Sequence, residues 1–468
     1  MRPFLPLLLA LTLSACAPIH PGPPEVQALD PHTIGLQDRA IQWPDTEWWT
    51  QYQDPQLDAL IDQALAGNPS LDIAQARVRM ANAAVRGARA VQWPQVNAQY
   101  SLTRQRYSEN YIYPPPLGGS MNTDNSLQLR VDFDVDLWGK NRSLAAAAQS
   151  RALAAAAGLQ QARNTLIAAT TQSYFQLQNA LAQAEAIESI VGKLREALSI
   201  TRDRFRNGLG TQVDVDQADS AVSAAQVQLG QVRNNAELLR NQIAALTAVS
   251  PARGQKVMLR HGGPLPTGVP ESLPMELLGR RPDIVAARLQ VEAAGSEIAA
   301  AKADFYPNIN LSAFVGFMSL GMGELLHGGS KFYGIGPAIS LPIFHGGALN
   351  AELEGRRGAR DLAIAQYNQT ILTAVHEVAN AGTSIRNLKQ QIRDQEASTK
   401  AITSAYDIAL KRYKGGLGNF VQVLLAQNEV LKQTVQTADL HARAYILDAQ
   451  LATALGGGYQ TPKATAKH

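Results

Sequence analysis

The segment Arg204-Phe205-Arg206-Asn207-Gly208-Leu209-Gly210-Thr211-Gln212-Val213-Asp214-Val215 returns 208 residues later as Arg412-Tyr413-Lys414-Gly415-Gly416-Leu417-Gly418-Asn419-Phe420-Val421-Gln422-Val423. A second match, at an offset of 213, sets Asn68-Pro69 against Arg281-Pro282 and Trp93-Pro94-Gln95-Val96-Asn97 against Tyr306-Pro307-Asn308-Ile309-Asn310. The chain is a duplication, so a fold for it must use its elements twice.

In the first copy, apolar and small residues recur at alternating steps of four and three: Ile187, Val191, Leu194, Leu198, Thr201 and Phe205, then Ala218, Val222, Ala225, Leu229, Val232, Ala236, Leu239, Ile243 and Leu246. That 3.5-residue period is the seam of a coiled coil. The second copy keeps it less cleanly, with Ile371, Val375, Val378, Gly382 and Ile385, then Leu424, Leu431, Val435 and Tyr445. Between the tracts, Gly-Leu-Gly supplies residues that tolerate positive φ and reverse the chain. The 63 residues from Leu144 to Arg206 would span roughly 95 Å at a rise of about 1.5 Å per residue. The return tract Val213 to Thr247 has only 35 residues, and the 22 from Ser70 to Val91, stopped before Trp93-Pro94, nearly make up the difference. The second copy repeats the arithmetic with 66 residues (349–414), 36 (420–455) and 22 (283–304). Each copy is predicted as one long helix facing two shorter helices stacked end to end.

Four strands are predicted between the helices. From Leu127 to Leu137 the apolar residues alternate strictly with Gln128, Arg130, Asp132, Asp134 and Asp136, giving one lipid-compatible face and one charged face. A soluble sandwich strand would read the same way. Val96 to Thr103 alternates similarly; Ile309 to Phe317 and Tyr333 to Ile343 do so more weakly. The hairpins are closed by loops at 106–126 and 318–331, and the first loop carries Tyr107, Tyr111, Tyr113 and Pro114-Pro115-Pro116. Four strands cannot enclose a lumen, and an open edge in hydrocarbon leaves backbone groups unsatisfied. A membrane barrel built this way requires several chains.

Met1 to Ala15 reads as a secretory signal: Arg2, an apolar run from Leu5 to Leu13, then Leu13-Ser14-Ala15 before Cys16. Leu-Ser-Ala-Cys matches the bacterial lipoprotein cleavage box, which assigns a covalent lipid to Cys16, the chain's one cysteine. Ala17 follows, rather than the aspartate that resembles an inner-membrane retention signal, so the lipid is expected in the outer membrane. A single cysteine excludes a disulfide framework or a cysteine-based metal cluster. With 42 basic and 39 acidic residues and a net charge of +3, the chain lacks the positive field of a nucleic-acid binder. No later stretch approaches the ~18 apolar residues of a spanning helix. Catalytic signatures are missing too: His376-Glu377 has no second histidine four residues on, no serine lies in a Gly-x-Ser-x-Gly elbow, and Gly456-Gly457-Gly458 opens no lysine-bearing phosphate loop. We expect no enzyme, no cofactor beyond the lipid and no bound metal. The division expected is signal 1–15, lipidated equatorial segment 16–69, first repeat 70–248, linker 249–282, second repeat 283–455 and tail 456–468.

The lipoprotein box, the duplicated helix–hairpin–helix plan, the Gly-Leu-Gly turns, Leu137-Trp138-Gly139, Leu341-Pro342-Ile343-Phe344-His345-Gly346-Gly347, Trp48-Trp49 and Arg280-Arg281-Pro282-Asp283 together resemble the TolC-like outer-membrane efflux factors, especially their lipoprotein OprM/NodT branch. The resemblance covers Cys16 to about Leu455. It implies a mainly helical α+β fold in a homotrimer, with a twelve-stranded outer-membrane β-barrel continuous with a long periplasmic α-helical barrel. It further implies a passive exit duct for drugs or other small toxic compounds, served by a periplasmic adaptor and an inner-membrane pump of RND or MFS type. Adaptor hairpins would seat on Gly208, Leu209, Gly210 and Thr211 and on Gly416, Leu417, Gly418 and Asn419; a plain role in helix reversal is the rival for these residues. Many relatives carry acids after the second turn, but here Val421-Gln422-Val423-Leu424-Leu425-Ala426-Gln427 has none. That leaves Asp214 and Asp216 as the acidic ring of a periplasmic gate, unless they are ordinary helix-start acids. Arg204, Arg206, Lys411, Arg412 and Lys414 are its basic candidates and Leu424 and Leu425 its apolar ones. The competing function is a non-porous periplasmic spacer lipoprotein, which the charged alternate residues of the strand from Leu127 argue against.

Overall fold

The computed structural model describes residues 25–37, 41–254, 256–260, 274–321 and 323–460. Cys16 and the signal segment lie outside the described residues. In chain order the main elements are α1 (Pro55–Gly67), α2 (Pro69–Ala90), β1 (Gln95–Arg106), β2 (Met121–Asp134), α3 (Lys140–Arg206), α4 (Gln212–Leu246), α5 (Pro282–Ala303), β3 (Asn308–Leu320), β4 (Lys331–Ser340), α6 (Ala348–Lys414) and α7 (Phe420–Ala454). The expected helices are present within a few residues at each end, and α3 and α6 each run 67 residues. Among the described residues no helix is long and apolar enough to cross a membrane.

The strands form one antiparallel sheet in the order β1-β2-β3-β4. They differ from expectation at their ends. Hydrogen bonding carries β1 and β2 outward through the rungs Thr103↔Asp124, Arg104↔Thr123 and Gln105↔Asn122, which are polar on both faces, so hydropathy alternation could not reveal them. The loops shrink to 107–120 and 321–330. At the other end β2 stops at Asp134, so Asp136, expected on the charged strand face, is not on a strand. It sits at φ 46°, and its carboxylate accepts from the backbone N–H groups of Asn141 and Arg142 at 2.9 and 3.0 Å. It anchors the start of α3, where an acid suits the exposed N–H groups.

The chain divides into two compact units, and each repeat is shared between them. The unit formed around Arg77–Ala156 and Ala286–Asn368 contains the sheet. Below the strands, buried Glu297 on α5 receives the guanidinium groups of Arg151 on α3 and, at 3.2 Å, Arg356 on α6.

The other unit contains Leu29–Ala76, Ala157–Val285 and the chain from Gln369 onward. Its core packs Trp48, Trp49 and Tyr52 against Ile167, Phe175, Leu177 and Ile243, with the Phe175 and Tyr445 rings stacked at 4.5 Å. Burial raises the Asp448 carboxyl above the usual range, against the opposing hydrogen bond from the Tyr52 hydroxyl at 2.7 Å. The duplication is visible here in atomic detail. Asn68 donates to the Leu246 carbonyl at 2.7 Å, and Arg281, its counterpart, donates to the Ala454 carbonyl at 3.0 Å. Arg281 also holds Glu377 and Asp283, both at 2.6 Å, and those carboxylates keep its proton more firmly than usual despite burial. Gly456, Gly457 and Gly458, assigned from sequence to a tail, pack in this unit instead: all have positive φ, and Asn164 donates to the Gly456 carbonyl at 2.8 Å.

Candidate functional site: a two-faced sheet and paired helix turns

Strand register sorts the sheet into two chemistries. One face carries the rows Val96–Val131–Ala313–Ile335 and Ala98–Leu129–Val315–Tyr333, and the other carries Asn97–Arg130–Phe314–Gly334 and Gln95–Asp132–Ser312–Gly336. Tyr333 and Ile335 are 82% and 85% exposed, which in water would be costly at about 25 cal/mol per Å² and in lipid is favourable. Aromatic residues gather where the strands end: Trp93 and Phe344 are exposed, and Trp138 stacks on Tyr306 at 4.7 Å while donating to the Pro307 carbonyl at 2.8 Å. An apolar band bordered by such rings is the signature of a membrane barrel wall. Gln128, Arg130, Asp132 and Asp134 lie on the polar face, where Arg130 Nε bonds both Asp132 oxygens at 3.0 and 2.9 Å.

The two Gly-Leu-Gly turns are built alike. Gly208 and Gly416 take φ of 71° and 74°, a conformation that glycine adopts without Cβ strain. Leu209 N–H reaches the Arg204 carbonyl at 2.8 Å and Leu417 N–H the Arg412 carbonyl at 2.9 Å, while Gly208 and Gly416 close on Phe205 and Tyr413. These pairs of bonds end helices in a Schellman arrangement. Leu209 and Leu417 are left 66% and 75% exposed. Thr211 and Asn419 cap the return helices by accepting from the Asp214 and Gln422 N–H groups at 3.3 and 3.1 Å.

The candidate gate residues do not form one cluster within a protomer. Asp214 accepts from Thr211 N–H and hydroxyl at 3.1 and 2.8 Å, completing a capping box, whereas Asp216 accepts only a Gln212 amide at 2.8 Å. Among the described residues, neither forms an ion pair inside the protomer. Arg204 donates to the Leu209 and Tyr413 carbonyls, each at 3.2 Å, and its guanidinium lies 4.9 Å over the Tyr413 ring. Arg412 reaches the Leu417 carbonyl at 3.5 Å, Arg206 lies 3.5 Å from Asp203, and Lys411 is exposed. Lys414 pairs with Glu196 at 2.8 Å, which holds that carboxyl below its usual range. Leu425 is 64% exposed; Leu424 joins Asp216, Gln217 and Gln427 along a groove of about 610 Å³ between α4 and α7. Sequence reading missed Tyr413 and Thr201, whose hydroxyls meet at 3.2 Å in the buried tip. The Phe205/Tyr413 difference between the copies was the available signal.

The sequence pattern described as "Outer membrane efflux protein" matches residues 60–249 and 273–457. The chain is 33% identical over 464 residues to the multidrug resistance outer membrane protein MdtP of Shigella flexneri, covering 96% of this chain and 94% of that protein. It is 36% identical over 357 residues to the fusaric acid resistance protein FusA of Burkholderia cepacia, covering 74% and 67%. Among solved structures, the outer membrane protein VceC of Vibrio cholerae superposes with a TM-score of 0.85 at 34% identity, over 89% of this chain and all of that one. The outer-membrane channel OprN gives 0.81 at 27% identity, over 95% and 99%. A two-faced sheet, long duplicated helices and these matches agree: the chain belongs to the outer membrane efflux protein family.

Proposed function

We propose that this outer-membrane efflux protein works as a homotrimer, in which three four-stranded sheets close one twelve-stranded barrel around a water-filled lumen. The observation that carries the reading is the sheet itself: among the described residues its β1 and β4 edges are unpaired, its outer face is apolar and its inner face polar, a combination that is stable in lipid only when closed by further strands. The chain then acts as a passive exit duct, fed by an inner-membrane pump of RND or MFS type through a periplasmic adaptor whose hairpins seat on Gly208–Thr211 and Gly416–Asn419. Relatives named for multidrug and fusaric acid resistance support small toxic organic compounds as the cargo. A lipid on Cys16 adds a second, weaker hold on the membrane. Purified protein should give ion conductance in planar bilayers together with a trimeric mass; a non-conducting monomer would remove the duct and restore the spacer.

Three variants test the parts. Leu209→Trp or Leu417→Trp should abolish efflux while leaving the trimer intact, since both side chains are exposed; loss of the trimer would return the turns to a purely structural role. Cys16→Ser behind an ordinary cleavable signal should still yield trimers, more slowly. At the gate, neither the capping hydrogen bonds on Asp214 nor the Gln212 amide on Asp216 removes a negative charge, so we place the acidic ring at both: Asp214→Ala/Asp216→Ala should reduce cation preference in reversal-potential measurements, and an unchanged preference would leave both as helix-start acids.

A further inference from the structure

Two aromatic rings lie on the polar face of the sheet, where β3 also places Met318 and Leu320 nearer its far end. Across β1 and β2 that face presents amides, hydroxyls and charges, yet on β3 and β4 it presents Phe314 and Phe332, their ring centroids 5.6 Å apart. Each pairs across the strands with a glycine, Phe314 with Gly334 and Phe332 with Gly316. The rings lie over those glycines: a Cβ on Gly334 would fall 2.7 Å from the Phe314 ring, and one on Gly316 would fall 2.9 Å from the Phe332 ring and strike the Leu127 carbonyl. Phe and Gly are swapped between adjacent rungs, so both rings rest along the wall instead of projecting from it. Phe314 remains 38% exposed. A wall that needed only polarity would place hydroxyls here.

Charge along the polar face has one sign in excess. The polar face carries Asp124, Asp132 and Asp134 against Arg130, which stands directly across from Phe314. Because Arg130 is already bonded to Asp132, the net negative charge of this face comes from Asp134, two rungs from Phe314, and Asp124, three rungs from it on the other side. An aromatic face set in a wall of net negative charge attracts one class of solute on both counts, the organic cation with a planar ring.

We infer that Phe314 and Phe332 form an aromatic platform on the lumen wall that binds planar aromatic cations during their passage through the barrel. The inference rests on the trimeric duct proposed above, in which three platforms place six rings around one level of the lumen. Small inorganic ions pass without using it, because the rings lie along the wall and do not narrow the path.

The test is block of single-channel current in planar bilayers by ethidium added on the extracellular side, with tetramethylammonium as a cation lacking a ring. The double variant Phe314→Leu/Phe332→Leu should weaken ethidium block about five- to tenfold, with potassium conductance within a factor of two of wild type and tetramethylammonium block unchanged. Asp134→Asn should weaken block by both cations. If the double variant does not assemble, Phe332→Leu alone should weaken ethidium block two- to threefold. Equal ethidium block in wild type and the leucine variants overturns the platform and leaves the duct standing. A wild-type protein that is monomeric and carries no current overturns the duct and the platform with it.

Discussion

Along the first helix pair the seam between α3 and α4 is dry: Ile187, Val191, Leu194 and Leu198 pack on Ala218, Val222, Ala225 and Leu229. In the second pair, at the same offset of 208 residues, Ile187, Val191, Ala225 and Leu229 become Gln395, Thr399, Gln433 and Thr437. Here α6 and α7 are joined by hydrogen bonds: Gln395 Nε2 donates to the Gln433 side-chain and backbone oxygens at 2.6 and 3.0 Å, and the Thr399 and Thr437 hydroxyls meet at 3.0 Å. The same backbone plan thus carries two different interactions. Apolar burial yields about 0.8 kcal/mol per CH₂ and tolerates sliding, whereas satisfied polar layers contribute only about 0.5–1.5 kcal/mol per hydrogen bond but fix register. The second pair is the one expected to open at lower cost, with its alignment preserved.

The largest test of that difference is truncation at matched positions. Ile187→Ala, at a fully buried site, should destabilise the first pair by about 2–5 kcal/mol, seen as faster amide exchange in peptides from α3 and α4. Thr399→Ala should cost about 1 kcal/mol. Equal effects at the two positions would mean that the seams do not differ.

The junctions where each repeat begins offer a second contrast. Asn68 and Arg281 serve equivalent carbonyls, but only Arg281 also neutralises two carboxylates. Arg281→Ala leaves Asp283 and Glu377 unpaired and should cost about 3 kcal/mol, the low end for breaking a buried pair because Glu377 remains half exposed. Asn68→Ala should cost about 1 kcal/mol. Thermal unfolding of the two variants side by side reads the gap.

Much of this was legible in the sequence because periodicity reports burial. The four long helices and the four strands follow from repeats of 3.5 and two, the two 22-residue helices from the length left over before Trp93-Pro94 and Tyr306-Pro307, and the Gly-Leu-Gly signals place both reversals. What periodicity could not show was chemistry within a periodic position. Gln395 and Thr399 blurred the second seam, so the polar layer was visible only as a fault in the pattern. Asp136 continued the strand's alternation by accident while serving a helix start. Likewise Phe314 broke the alternation of β3, and only the register with Gly334 gives that break a meaning. The candidate gate was read as a set of nearby charges, but Arg204 is spent on turn carbonyls and Asp214 also caps its helix, which distance along the chain cannot reveal.

Grafting sharpens the comparison further. Gln395→Ile, Thr399→Val, Gln433→Ala and Thr437→Leu, made together, copy the first seam into the second and remove donors along with their acceptors, so no buried polar partner is stranded. The graft should stabilise the second pair by about 1–2 kcal/mol, slowing amide exchange in α6 and α7 roughly tenfold. Gln395→Ile alone should do the opposite, because Gln433 keeps its polar group without its partner. A graft that loosened the pair would show that the hydrogen bonds, and not register, hold it.

The smallest effect lies at the tip, where Lys414 reaches across to Glu196 on the first copy while its counterpart, Arg206, stays with Asp203 on its own helix. Lys414 lowers the Glu196 carboxyl below the usual carboxylate range, so the bridge contributes fully above that range and is lost as pH falls through the lowered value. Both groups are exposed, and salt screens such pairs. Opening frequency in bilayers should therefore be flat from pH 7 to about pH 5, then rise modestly in more acid buffer, with the rise shrinking at high ionic strength. Glu196→Gln should show the raised frequency at every pH and lack that acid step. Other acids titrate in the same range, so the variant, not the wild-type curve, decides: a Glu196→Gln channel that keeps the full step would assign it elsewhere and leave Tyr413, with its buried bond to Thr201, as the cross-copy tie at the tip.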